Sequence, residues 1–167
     1  EAKRQCFGVV AIDLLPGPSE IMVLADKSAN PAFIAADLLA QAEHGKDSGV
    51  AFVTDDEPLL DAVLNQIESQ GARHSRQQMI RGVLEKECVL ILVPNLEEGA
   101  ELANDYAPEH LSLVTGREHD ILPLIRTAGA VFVGSYSPVA VGDFLAGPSH
   151  TLPTGGSGKS FPGITAD

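Results

Sequence analysis

Apolar positions in this chain fall into two kinds of stretch. Residues 21–25, 50–54, 89–93, 111–114 and 130–134 are short, nearly continuous apolar runs. Runs without polar alternation suit strands of a parallel sheet covered on both faces. Between them, apolar residues recur every three or four positions, the helical period. Asn30-Pro31 offers an N-cap side chain ahead of a proline in the first turn, predicting a helix from 33 to about 44, stopped by Gly45. Residues 58–70 repeat the design, with Asp55 or Asp56 before and Gly71 after. Leu59, Leu60, Val63, Leu64 and Ile67 form the expected inner stripe. A further helix is expected over 73–87. Asn95 and Glu98 pair as in a capping box, opening a helix to about 105, and 118–128 reads as a shorter one. Strands alternating with helices predict a layered α/β domain with a mostly parallel sheet.

From Gly147 the character changes. Pro148, Pro153, Gly155, Gly156, Gly158, Pro162 and Gly163 crowd a short stretch, expected to be an extended segment leaving the domain.

A length of 167 residues fits one domain, and a formal charge of -12 disfavours nucleic acid and anionic membranes as partners. No apolar run is long enough to span a bilayer. The start, Glu1-Ala2-Lys3-Arg4, leads into a short strand-like run without a leader's apolar core, and the chain lacks an initiator Met. It reads as a piece of a longer protein. Cys6 and Cys88 form no CxxC pair, lie among apolar neighbours and read as buried thiols of a cytosolic protein.

Four motifs carry candidate chemistry. Gly17-Pro18-Ser19-Glu20 is a tight turn bearing a hydroxyl. Gln41 and His44, three apart, share one helix face, and Gln41 continues the stripe of Ile34 and Leu38 where an apolar residue was expected. Taken alone the pair fits two metal ligands, or a helix-terminal imidazole on a free carbonyl. Ala107-Pro108-Glu109-His110-Leu111 places a carboxylate and an imidazole where a helix gives way to a strand, a source of acid–base chemistry or a partly buried pair. Ligand sites in open α/β sheets usually lie at the strands' carboxyl ends. Strand neighbours also point to opposite faces, so the backbone must bend for both to serve one substrate. Gly142-Asp143, followed by Ser149-His150, adds a carboxylate and another imidazole. His74 and His119 match no motif and read as surface residues.

These motifs, in this order, resemble histidinol dehydrogenases across essentially the whole chain, which would make up the second half or so of a full-length enzyme. The resemblance implies a three-layer α/β/α fold, an incomplete Rossmann-like unit similar to aldehyde dehydrogenase domains. Residues 1–146 would be the substrate and zinc-site domain, and 147–167 a segment leading to a further part. It implies zinc held by Gln41, His44 and Asp143, with a fourth ligand from a partner subunit's tail that this chain ends short of. It implies His110 as general base and acid, Glu109 as activator of water, and Ser19 and His150 as substrate contacts beside the metal ligands. The implied reaction is the oxidation of L-histidinol to L-histidine through the aldehyde with NAD⁺, the last step of histidine biosynthesis, in a cytoplasmic homodimer.

Most NAD⁺ contacts would then lie outside this chain, in which no GxGxxG follows a strand. The isolated chain is expected to fold but not to turn over. Two rivals are a dehydrogenase of another alcohol and a non-catalytic module of the same fold. Gly158-Lys159-Ser160 imitates the end of a phosphate loop, but Pro153 stands where its first glycine belongs and Pro162 follows.

Overall fold

The computed structural model describes residues 2–12, 14–15, 17–147 and 151–160. In chain order these form α1 (Ala2–Cys6), β1 (Glu20–Ala25), α2 (Pro31–Ala42), β2 (Gly49–Thr54), α3 (Glu57–Gly71), α4 (Gln77–Glu87), β3 (Cys88–Leu92), α5 (Leu96–Tyr106), β4 (His110–Val114), α6 (Glu118–Ile121), β5 (Ala130–Val133) and α7 (Val139–Val141). A π-type turn, Gly142–Ala146, continues α7, and 3₁₀ turns lie at Leu122–Leu124 and Ser157–Lys159.

The five strands make one sheet in the order β3-β2-β1-β4-β5. Every pairing is parallel. Alternate residues of β1 serve opposite faces: Ile21, Val23 and Ala25 pack with α2, α3, α4 and α7, while Met22 and Leu24 pack with α5 and α6. The result is the expected three-layer α/β/α fold, with the central strands buried on both sides.

Helix starts follow the side-chain caps. Asn30 Oδ1 accepts the Ala32 N–H at 2.9 Å, Asp56 Oδ2 the Leu59 N–H at 2.9 Å, and Asn95 Oδ1 the Glu98 N–H at 2.8 Å. The helix expected over 118–128 ends at Ile121, because Pro123 has no N–H to continue it and a 3₁₀ turn takes over. Leu64 is 42% exposed, so the inner stripe of α3 is narrower than expected.

The apolar run after the N-terminus is no sheet strand. Phe7 and Val10 form an isolated bridge, and Phe7 and Val9 are exposed. Cys6 is likewise exposed rather than buried, since α1 buries no side chain. Cys88 is half-buried, and burial pushes its thiol up to about 11, so it stays protonated at neutral pH. Among the described residues no helix is long and apolar enough to cross a membrane.

The Gly- and Pro-rich stretch lies against the domain where it is described. Leu152 and Thr154 are buried, Thr154 Oγ1 accepts the Gly17 N–H at 2.5 Å, and the Gly155 N–H donates to Glu20 Oε1 at 3.1 Å.

Asp37 on α2 accepts a hydrogen bond from the Val139 N–H at the start of α7, and burial pushes its carboxyl up to about 6 from 3.8. A raised acid binds its proton more tightly folded than unfolded. Stability from this group is therefore complete below pH 3.8 and falls as pH rises to about 6. Asp37→Asn should melt higher than the parent above that range, and the gain should vanish as pH falls through it. Melts of both proteins across the range check this.

Candidate functional site

Strand order brings distant motifs together. β1 and β4 are neighbours, with Ile21 opposite His110, so Ser19, Glu20 and Glu109 meet at the amino end of the sheet. In a β–α–β unit a helix ends where the next strand begins, so α2 delivers Gln41 and His44 to that same end. Gln41 lies in the last turn and His44 just beyond it, its N–H on the Gln41 carbonyl at 3.0 Å. Ser19, Gln41, His44, Glu109 and His110 line one cleft of about 610 Å³ with Gly17, Pro18, Gly45, Asp47, Ser48, Val139 and Phe144.

The dyad sits on a constrained turn. α5 ends at Ala107, which is fully buried at φ 53, ψ 62, a left-handed conformation that costs a non-glycine residue roughly 1–2 kcal/mol. Pro108 then fixes the next φ. The Gly129 N–H donates to the Pro108 carbonyl and the Ala130 N–H to that of Glu109, each at 2.9 Å. Glu109 thus lies in a bend just before β4, which resolves the alternation problem. His110 faces the α2 side of the sheet, against Phe132 at 6.0 Å between ring centroids, and the bend turns Glu109 to the same cleft.

Both residues are buried. Glu109 Oε2 accepts the Ser19 hydroxyl at 2.6 Å and the Glu20 N–H at 3.0 Å, and lies 3.4 Å from His110 Nδ1. His110 Nδ1 is 3.0 Å from the Glu20 carbonyl oxygen. A carbonyl only accepts, so Nδ1 carries the proton and Nε2 keeps its lone pair as the basic nitrogen. Burial pushes the Glu20 carboxyl up, and the nearby Glu109 carboxylate adds to this; the N–H groups of Gly155 and Glu109, and His110, offset part of it.

The residues fit a metal in kind. The single Ser19 proton is committed to Glu109, so at its 3.5 Å contact with the Gln41 amide Ser19 can only accept. That contact is better made by Nε2, which otherwise lies buried without a partner among the described residues. Turning the amide over frees Oε1 from that contact, and Gln41 lines the same cleft as the exposed imidazole of His44, an amide and an imidazole both being donor types that metals accept. Among the described residues no group of three or more His, Cys, Asp or Glu side chains forms a metal cage. The Asp143 side chain and the whole of His150 lie outside the described residues. The Asp143 backbone belongs to the turn that places Phe144 on the cleft, and Gly142 packs its backbone on the Phe132 ring, where a Cβ would lie 2.7 Å from the ring atoms.

His119 is exposed and His74 half-buried, 3.5 Å from Glu43, both away from the cleft. Sequence reading assigned no role to Asp47, which lines the cleft, or to Glu20, Thr154 and Gly155. Glu20 stood inside a recognised motif, but its contacts to Gly155 and Glu109 span 135 and 89 residues and leave no local signal. At the carboxyl end of the sheet Asp26 ties β1 to the turn after β4. Asp26 there accepts Ser28, Thr115 and Gly116; burial acts to raise its carboxyl, and these bonds overcome that and hold it below its usual range. An apolar hollow of about 400 Å³ beside it, lined by Val23, Phe33, Val114 and Tyr136, also holds Asp37, whose carboxyl burial pushes up to about 6. Among the described residues Gly158-Lys159-Ser160 forms no strand–loop–helix phosphate site, since 151–156 form no strand and Gly158 and Lys159 lie in a 3₁₀ turn that ends before Ser160.

The family model for histidinol dehydrogenase matches residues 1–167. Histidinol dehydrogenase of Sulfurimonas denitrificans is 46% identical over 160 residues, covering 96% of this chain and 37% of that protein. That of Heliobacterium mobile is 43% identical over 166 residues, covering 99% and 39%. A crystal structure of histidinol dehydrogenase from Elizabethkingia anophelis matches with a TM-score of 0.92 at 41% identity, over 98% of this chain and 37% of that one. The chain spans 37–39% of the length of these relatives, less than the half expected from the motifs.

Close packing behind the dyad is testable. A Cβ on Gly129 would lie 2.7 Å from the Glu109 carbonyl oxygen and 3.1 Å from Pro153. Gly129→Ala should cost about 1–3 kcal/mol and shift the His110 ring resonances. Gly82→Ala, in α4 with open space around the new methyl, should instead stabilise by about 0.5–1 kcal/mol. Denaturant melts and NMR spectra of the two variants check both.

Proposed function

The chain belongs to the histidinol dehydrogenase family, and on that premise we propose that it supplies the acid–base and metal-facing part of an enzyme that oxidises L-histidinol to L-histidine. One observation carries this reading: Ser19, Gln41, His44, Glu109 and His110 line a single cleft, with the His110 tautomer set by the Glu20 carbonyl.

The residues divide the work as follows. His110 Nε2 takes the proton of the substrate alcohol, and its Nδ1–H stays on the Glu20 carbonyl, which steadies the ring as it becomes cationic. Glu109, held by Ser19 and the Glu20 N–H at one oxygen, has its other oxygen to draw a proton from the water that adds to the aldehyde. Ser19 offers a lone pair to a donor on the substrate, its own proton being committed to Glu109. Gln41 Oε1 and His44 would hold zinc together with Asp143. The chemistry zinc supplies when bound is a fixed positive template for the substrate's imidazole and amine, and that of NAD⁺ is acceptance of hydride. The NAD⁺ contacts are assigned to segments beyond these residues, since the first β–α turn, Ala25 to Asn30, has no glycine and carries the Asp26 carboxylate. We assign the active form to a cytoplasmic homodimer in which the partner's tail completes the metal site, and His150 to the substrate.

A full-length protein carrying these residues should reduce NAD⁺ with histidinol in preference to other amino alcohols, while the isolated chain should produce no steady NADH signal. His110→Ala should lower turnover by roughly two to four orders of magnitude. His44→Ala should lower bound zinc measured by metal analysis. Near-normal turnover in His110→Ala would remove that residue from the chemistry, and turnover restricted to other alcohols would give the chain a different substrate.

A further inference from the structure

The backbone of Glu20 serves both members of the Glu109–His110 pair, but its side chain has no part in the chemistry above. Glu20 donates its N–H to Glu109 Oε2 at 3.0 Å, and its carbonyl faces His110 Nδ1 at 3.0 Å. Its side chain reaches the segment after Pro153, where Oε1 accepts the Gly155 N–H at 3.1 Å, with the Glu109 N–H also near the carboxyl. One residue before this contact, Thr154 Oγ1 accepts the Gly17 N–H at 2.5 Å. Both ends of the turn 17–20 are therefore fastened to one strap, 154–155. Ser19, between the fastenings, holds Glu109 at 2.6 Å. The strap is itself fixed: the Thr154 carbonyl accepts the Ser157 hydroxyl at 2.6 Å, and Pro153 packs against Gly129 behind the Glu109 carbonyl.

We propose that Glu20 is a positioning residue for the Glu109–His110 pair, acting by tying the start of β1 to the strap at Thr154 and Gly155. This rests on the acid–base reading of the pair. Loss of the tie frees one short turn, and the three bonds that orient the pair move with it. Misplacement of reacting groups by about 1 Å costs on the order of a hundredfold in rate.

Stability alone does not explain the side chain. Glu20 is 9% exposed, and its Oε2 lies buried without a hydrogen-bond partner among the described residues. Such a group is a burden that an apolar side chain of similar length would remove. What an apolar side chain cannot do is accept the Gly155 N–H. Glutamine can, and it matches the neutral form that burial favours here.

The test uses the full-length protein carrying these residues, with histidinol and NAD⁺. Glu20→Met should fold with unchanged or higher thermal stability, yet lose roughly 10–100-fold in kcat while KM moves less than about threefold. Glu20→Gln should recover most of that loss. Thr154→Val should lower kcat in the same direction, Thr154→Ser should restore it, and the double variant with Glu20→Met should lose less than the product of the two single effects. Parent-like kcat in Glu20→Met, or a Glu20→Gln variant as slow as Glu20→Met, overturns the proposal. If Glu20→Met does not fold, parent-like kcat in Thr154→Val overturns it instead. His110→Ala separates the two readings. An inactive His110→Ala beside a normal Glu20→Met sinks the positioning role alone, and a normal His110→Ala sinks the acid–base site on which it rests.

Discussion

A buried carboxylate constrains this domain more than any other group. Glu109 is 7% exposed, and an ionised carboxylate at that depth costs several kcal/mol unless donors surround it. The donors come from the start of β1, the Ser19 hydroxyl and the Glu20 N–H. That supply exists only because β4 is laid directly beside β1, which a sheet in simple sequence order would not do. The neighbouring backbone is shaped around the same need. Ala107 accepts a left-handed conformation, Gly129 allows the chain to pass against the Glu109 carbonyl, and Pro153 closes the space behind. A strained residue and two close approaches within one turn are costs that the surrounding packing must offset.

Much of this architecture was legible in local sequence. The five internal apolar runs became the five strands of the sheet, because a continuous apolar run is a one-dimensional signature, whereas the run after the N-terminus did not. The caps at Asn30, Asp56 and Asn95 were legible because a capping side chain bonds two or three residues away. The misses share a cause. Pro123 lay inside an apparently helical pattern, and the pattern was given more weight than the missing N–H. Leu64 and Cys6 sit among apolar neighbours in sequence, but exposure depends on what packs above them, and the described residues leave both exposed. The Gly- and Pro-rich segment was read as leaving the domain because turn residues carry no information about destination. Its anchors, Gly17 and Glu20, lie 137 and 135 residues away. The five candidate side chains in the cleft were legible as motifs, while the hydrogen-bond order among them, Glu20 above all, was not.

The end of the sheet on which the cleft lies decides what it can hold. At the carboxyl end of a parallel sheet, helix N-termini present free N–H groups and partial positive charge, which suits phosphates. Here the Asp26 carboxylate stands at that end between β1 and β4, and the hollow beside it is apolar. The cleft instead opens at the amino end, beside the C-terminus of α2, where free carbonyls carry partial negative charge and no basic residue stands in the last turn. Asp47 and Glu109 line it, in a chain of formal charge -12. Such a field repels a dinucleotide's phosphates and attracts cations. A metal ion and an amino alcohol with its ammonium group are both cationic, and both would be stabilised where His44 and Gln41 present their lone pairs. A cleft at the amino end thus favours cationic over phosphate-bearing ligands, and strand order, helix polarity and acidic composition act in the same direction.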